Sequence, residues 1–143
     1  MRTFIPFNVP SLKNSKVATT KGVFMSKTCR KYLQSLGVKS YSVARKEVEG
    51  YKTRPNLFEA CLDDLIEYTI NGSAPFTVGF HFIRKTKAKF DYINAMQIIL
   101  DLMTAHGVFE DDDCDNVIPY VLQIDGRNYS HDKDKPGVII DVI

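Results

Sequence analysis

The sequence predicts an α+β domain, a mixed β-sheet with helices packed mainly on one face. Three observations predict it. Phe76 to Ile83 alternates, with Phe76, Val78, Phe80 and Phe82 on one side of a strand and Thr77, Gly79, His81 and Ile83 on the other. Val117 to Ile124 reads as a second strand, turned by Asp125-Gly126. Between them, Asp91 to Gly107 reads as a helix. Asp91 is its N-cap, Gly107 its left-handed stop, and Ile93, Met96, Leu100 and Met103 recur at spacings of three and four to make a buried stripe.

The other elements follow in order. Phe4, Ile5 and Phe7 lie between Thr3 and Pro10 and form a short strand. Ser11 to Thr20 is polar and reads as a loop carrying Lys13, Asn14 and Lys16. Val23 to Met25 is a short extended piece. Ser26 then caps a helix through Leu36, stopped by Gly37. Its inner face is Cys29, Tyr32, Leu33 and Leu36, and its outer face is Lys27, Arg30, Lys31 and Gln34. Residues 38 to 55 suit an irregular excursion or a mobile flap. Pro55-Asn56 opens a helix through Ile70, with Leu57, Phe58, Cys61, Leu62, Leu65, Ile66 and Ile70 inward and Asp63, Asp64 and Glu67 wet. Arg127 to Pro136 is a polar loop, and Val138 to Ile143 a last short strand.

With 143 residues, 44% of them hydrophobic, the chain is long enough for one domain, 1–143, with a real core. No apolar run reaches the roughly 18 residues that span a bilayer, and the N-terminus lacks a signal-peptide pattern, so no membrane partner is expected. Cys29, Cys61 and Cys114 are odd in number and lack metal-ligand spacing, which points to a reducing, cytoplasmic setting. The net charge of +2 hides a division. Residues 1–55 carry twelve Lys or Arg against Glu47 and Glu49, whereas the rest carries seven basic and fifteen acidic side chains. One surface suits a polyanion and another can collect cations.

Position sharpens this. Arg84, Lys85, Lys87 and Lys89 directly precede Asp91, placing cations for phosphates beside a carboxylate. After the helix comes Glu110-Asp111-Asp112-Asp113, which fails as an EF-hand because the required glycine and ligand spacing are missing. There is no phosphate-binding glycine loop, zinc spacing or nucleophile elbow. Asp91 with Asp111, Asp112 and Asp113 therefore remain as candidate hard-oxygen ligands for Mg²⁺ or Mn²⁺, ions able to polarise a phosphodiester and activate water. The helix is roughly 20 Å long, so Asp91 and the acidic turn meet only if the turn folds back.

Asp91-Tyr92-Ile93-Asn94, Asp101-Leu102-Met103, Gly107 and Glu110-Asp111-Asp112, in this order, resemble the core of the RusA-type Holliday junction resolvases. That family has an Asp-x-Asp-Asn segment opening a helix, a lysine four residues after the second aspartate, then Asp-x-Leu, a Gly and an Asp-Asp pair. Val9-Pro10-Ser11-Leu12-Lys13-Asn14 is similar to its Pro-Ser-x-Asn loop, and Pro136-Gly137-Val138 to its Pro-Gly strand opening. The resemblance implies a RusA-like fold, a homodimer, and Mg²⁺-dependent hydrolysis of a phosphodiester in a four-way DNA junction, in recombination and repair. It assigns Asp91 and Asp112 as catalytic and metal-binding residues, with Asp111 beside them. Lys13, Asn14, Lys16, Arg84, Lys85, Lys87 and Lys89 are then the DNA-binding residues. Two family positions differ: the second aspartate is Ile93 here, and the lysine is Gln97. A non-catalytic junction-binding relative and a protein-interaction module are the alternatives.

Overall fold

The computed structural model describes residues 1–11, 16–19, 22–38 and 57–143, with backbone only for 16–19 and 22–25. Its elements run β1 (Arg2–Pro6), β2 (Lys16–Thr19), β3 (Gly22–Met25), α1 (Lys27–Ser35), α2 (Leu57–Ile70), β4 (Phe76–Arg84), α3 (Tyr92–Ala105), β5 (Val117–Val121), β6 (Ser130–His131) and β7 (Gly137–Val142). The fold is α+β. Its main sheet runs β1-β7-β4-β5, with β6 pairing the end of β4, while β2 and β3 form a separate hairpin. The sheet is mixed: β7 is antiparallel to both β1 and β4, and β5 and β6 are parallel to β4. Parallel neighbours need a crossover, and α3 supplies it between β4 and β5.

Cross-strand register assembles one apolar face. Ile5 opposes Val138, which opposes Phe82, and Phe80 and Val78 oppose Ile140 and Val142. These side chains join Leu33 and Leu36, Phe58, Leu62 and Leu65 of the α2 face, and Ile98, Ile99, Leu102 and Met103 of α3 in one buried cluster. The helices therefore pack against the face that alternation in β4 selected. The opposite face of β4 is covered too, by chain between β5 and β6. His81 is buried there, donating from Nδ1 to the Leu122 carbonyl at 2.9 Å and accepting at Nε2 from the Ser130 hydroxyl at 2.6 Å. Both ring nitrogens are satisfied, so His81 is a structural histidine.

The structure departs from several sequence expectations. The polar stretch after Ser11 contains β2, and the loop 127–136 contains β6. Both are short strands that rely on a paired neighbour rather than on apolar alternation. The strand from Val117 ends at Val121, short of Ile124, because Ile124 instead bridges Arg127 across the Asp125-Gly126 turn. Both turn residues have positive φ, 51° and 73°, which suits Asp-Gly in a two-residue hairpin turn. Leu57 and Ile70, expected in the inner stripe of α2, are exposed, and Thr69 is buried instead. Ile93, expected in the stripe of α3, is 75% exposed. The buried residues Ala95, Ile98, Ile99, Leu102 and Met103 centre the inner face of α3; Leu100, seven residues beyond Ile93 and on the same side of the helix, is buried as well, so Ile93 is exposed by its place in the first turn. Lys13, Asn14, most of the 38–55 excursion and the Pro55-Asn56 opening of α2 lie outside the described residues.

Gly137 shows how tightly the first strand is set. A Cβ there would overlap the Ile5 carbonyl oxygen and the Phe4 ring. Gly137→Ala must push β1 away from β7 and is expected to lower stability by roughly 1–3 kcal/mol. Urea titration checks this: the midpoint should fall with an unchanged slope.

Candidate functional site

One end of the sheet gathers three segments that are distant in sequence. β1, β7, β4 and β6 finish or start in a common row, Pro6–Gly137–Ile83–Ser130. From the middle of that row the chain leaves β4 through Arg84 into the exposed residues Lys85 to Lys89 and then enters α3 at Asp91. The N-terminal loop lies against it. Arg84 donates to the Val9 carbonyl, the Lys85 amide donates to Asn8 Oδ1 at 2.9 Å, and Asn94 Nδ2 donates to the Ser11 carbonyl at 3.4 Å. From the other side, His131 Nε2 reaches the Lys85 carbonyl at 3.1 Å. The basic run is thus anchored at its first residue while Lys85, Lys87 and Lys89 are exposed. Arg84 is half-buried over Phe90, its guanidinium 4.5 Å from the ring centre, and burial draws its pKa below the usual arginine value. Lys16 is in β2.

Asp91 performs the capping expected of it. Its Oδ1 accepts from the amides of Ile93 at 2.9 Å and Asn94 at 3.3 Å. Gly107, at φ 80°, closes the other end after the His106 C-cap. The acidic turn does fold back onto α3. It arrives at mid-helix: Asp112 Oδ2 accepts from Gln97 Nε2 at 2.9 Å, and the same nitrogen donates to Asp101 Oδ1 at 2.7 Å. Gln97 lies about 9 Å of helix rise beyond Asp91. The rest of the turn is held by its own backbone. Asp111 Oδ1 accepts from the Asp112 amide at 2.8 Å, and Asp113 Oδ1 accepts from the Asp115 amide and Asn116 Nδ2.

This arrangement bears on metal binding. Among the described residues no three of His, Cys, Asp and Glu are placed to hold a metal ion. What the structure brings beside Asp112 is Asp101, with a neutral amide between them. Asp111 is turned into its own turn. The described residues in these positions do not form a ready Mg²⁺ or Mn²⁺ cage.

The bridging by Gln97 yields a prediction. Gln97→Glu removes both hydrogen bonds and puts a third carboxyl between two others, which should cost about 1 kcal/mol at pH 7. Like charges raise the pKa of the introduced carboxyl above its unfolded value of about 4.3. A raised acid pKa destabilises at high pH, and the deficit relative to the parent should shrink as pH falls through the folded pKa. Thermal melts of both proteins between pH 7 and pH 4 check it.

Sequence reasoning missed Gln97 as a donor, although Gln and Asp four residues apart on a helix is a legible pairing. It also missed an aromatic group at the same sheet end. Phe90, Tyr92 and Tyr129 pack on one another, and Phe90 and Tyr92 also on Phe82, with ring centres 4.7 to 6.3 Å apart. Burial, with Tyr129 close by, raises the Tyr92 pKa. No spacing rule joins residue 129 to residue 90, because only the register of β6 on β4 brings them together. A cleft of about 580 Å³ lies elsewhere, at the start of β4, lined by Asp64, Glu67, Tyr68 and Phe76. No helix among the described residues is long and apolar enough to cross a membrane. The chain matches no family model, no curated protein and no solved structure.

Proposed function

We propose that this chain is a RusA-like protein that binds branched DNA, such as a four-way junction, through the sheet end carrying Lys85, Lys87 and Lys89. One observation carries the reading. Three segments that resemble the resolvases, Val9 to Ser11, the entry to α3 and the Pro136-Gly137 strand opening, meet the basic run at one place. Exposed lysines there suit backbone phosphates, and recognition is then by shape and charge with little base reading. A junction has approximate two-fold symmetry, so a C2 homodimer is the form expected to bind it. Cys29, Cys61 and Cys114 are free thiols, which suits a reduced cytoplasmic location beside DNA.

Mg²⁺-dependent cleavage is the second reading. Its support is the return of the acidic turn to α3, which brings Asp112 and Asp101 to one nitrogen. Binding is favoured over cleavage because Ile93 and Gln97 stand where the family has a carboxylate and a cation. The test is incubation with a synthetic four-way junction and with a linear duplex of equal length, with and without Mn²⁺, scored by gel shift and nicking. Preferential junction binding without nicking supports the first reading, and Mn²⁺-dependent nicking supports the second. No salt-dependent DNA affinity at all would leave a protein-interaction module.

A further inference from the structure

The short connection between the Asp125-Gly126 turn and β6 presents a ring that the core does not absorb. Tyr129 is 49% exposed, yet it is seated. Its ring meets Phe90 edge-on with centres 5.3 Å apart, Phe90 meets Tyr92 at 4.7 Å, and Phe90 meets Phe82 of β4 at 5.9 Å. The exposed ring therefore stands on others rooted in the sheet. Two polar ties fix the segment that carries it. The Tyr92 hydroxyl donates to the Asn128 carbonyl, and Gln123 Nε2 donates to Asn128 Oδ1 at 2.9 Å. Arg84 lies on Phe90, and the exposed Lys85 follows it.

A half-exposed aromatic ring, packed on two others and joined through Phe90 to Arg84 at the start of the basic run, has the composition of a nucleic-acid stacking surface. Cations neutralise the backbone, and a ring offers a π-face to any base free to leave its stack. Preordering matters because a ring already held loses little freedom on binding. Paired bases inside a duplex hide their faces from such a ring, whereas bases at a branch point or in a single strand do not. We propose that Tyr129, backed by Phe90 and Arg84, is a stacking platform for an unpaired base of branched or single-stranded DNA. The proposal rests on the DNA-binding reading and deepens it. It divides the labour: Lys85, Lys87 and Lys89 hold phosphates of any strand, and Tyr129 selects unpaired ones.

The test uses the full chain, a 2-aminopurine-labelled single strand and the corresponding duplex. Stacking on Tyr129 should quench the single-strand fluorescence. Tyr129→Leu should weaken single-strand binding roughly 5- to 100-fold while leaving duplex binding within about twofold. Tyr129→Phe keeps the π-face and should bind as the parent does, which separates stacking from a hydroxyl contact. Thermal melts establish that each variant is folded. If Tyr129→Leu binds both DNAs like the parent, or loses both equally, the platform is wrong while the DNA-binding reading stands. Lack of quenching by a parent protein that binds the strand would also overturn the platform. A parent that binds neither DNA would overturn the DNA-binding reading and the platform with it.

Discussion

Changing Lys85, Lys87 and Lys89 together to Ala is expected to weaken junction binding on the order of 10²-fold near 0.1 M salt. The size follows from counterion release. Each phosphate neutralised on a duplex contributes about 0.9 to the slope of log affinity against log salt, so three lost contacts flatten that slope by up to about 2.7. All three side chains are exposed and form no ion pair among the described residues, so their loss leaves the fold intact. The neighbouring Arg84 is the wrong residue for this experiment. Its guanidinium is half-buried on Phe90 and donates to the Val9 carbonyl, and Arg84→Ala would mix a binding effect with a packing one. The measurement is a set of gel-shift or anisotropy titrations from 50 to 300 mM KCl. An unchanged slope for the triple variant would remove these lysines from the DNA surface, whatever happened to the affinity at one salt concentration.

The legible and illegible parts of this molecule divide by the range of the forces that set them. Local signals carried the helices. Ser26 caps α1, accepting from the Cys29 amide at 3.3 Å, and Asp91 caps α3. Gly37 and Gly107, at φ 79° and 80°, stop the two helices where a side chain would be strained. Strand β4 was legible because Phe76, Val78, Phe80 and Phe82 alternate with Thr77, Gly79 and His81. The failures are tertiary. The exposure of Ile93 depends on how far packing reaches along α3: Leu100 and Met103 of the same stripe are buried, whereas Ile93 in the first turn is not. The entry of β6 into the sheet depends on two residues finding the end of β4 from 47 positions away. At the candidate site, the sequence identified the acidic turn and the helix N-terminus and required the turn to fold back. It did so, but the contact is made through a side-chain amide in mid-helix, and a neutral residue between carboxylates carries no charge signal to be read.

Ile93→Asp combined with Gln97→Lys is expected to be folded and to cleave a four-way junction on the order of 10²-fold or more above the parent in Mn²⁺, the scale of one well-placed electrostatic group. Were Ile93 in the core, a carboxylate there would destabilise the domain by several kcal/mol. At 75% exposure in the first turn of α3 it does not meet that penalty. An acidic side chain in the first turn is favourable toward the helix dipole by a few tenths to about 1 kcal/mol. Gln97, four residues on, is the neighbour of Ile93 on the helix surface and lies between Asp101 and Asp112. A lysine there keeps a donor for both carboxylates and adds the charge that their repulsion calls for, so Gln97→Lys alone should hold or raise stability by up to about 1 kcal/mol at neutral pH. The introduced carboxyl at position 93 would add a ligand near Asp91, where the parent has a hydrocarbon side chain. Metal binding needs its own readout, because activity alone would confuse a missing ion with a misplaced one. The double variant should gain thermal stability with added Mn²⁺, and the parent should gain less. A folded double variant that binds Mn²⁺ but cuts no better than the parent would show that Ile93 and Gln97 are not what separates this chain from a nuclease. Efficient cutting by the parent would instead assign the ligand role to carboxylates already present, with Asp101, the one tied to Asp112, the first to change.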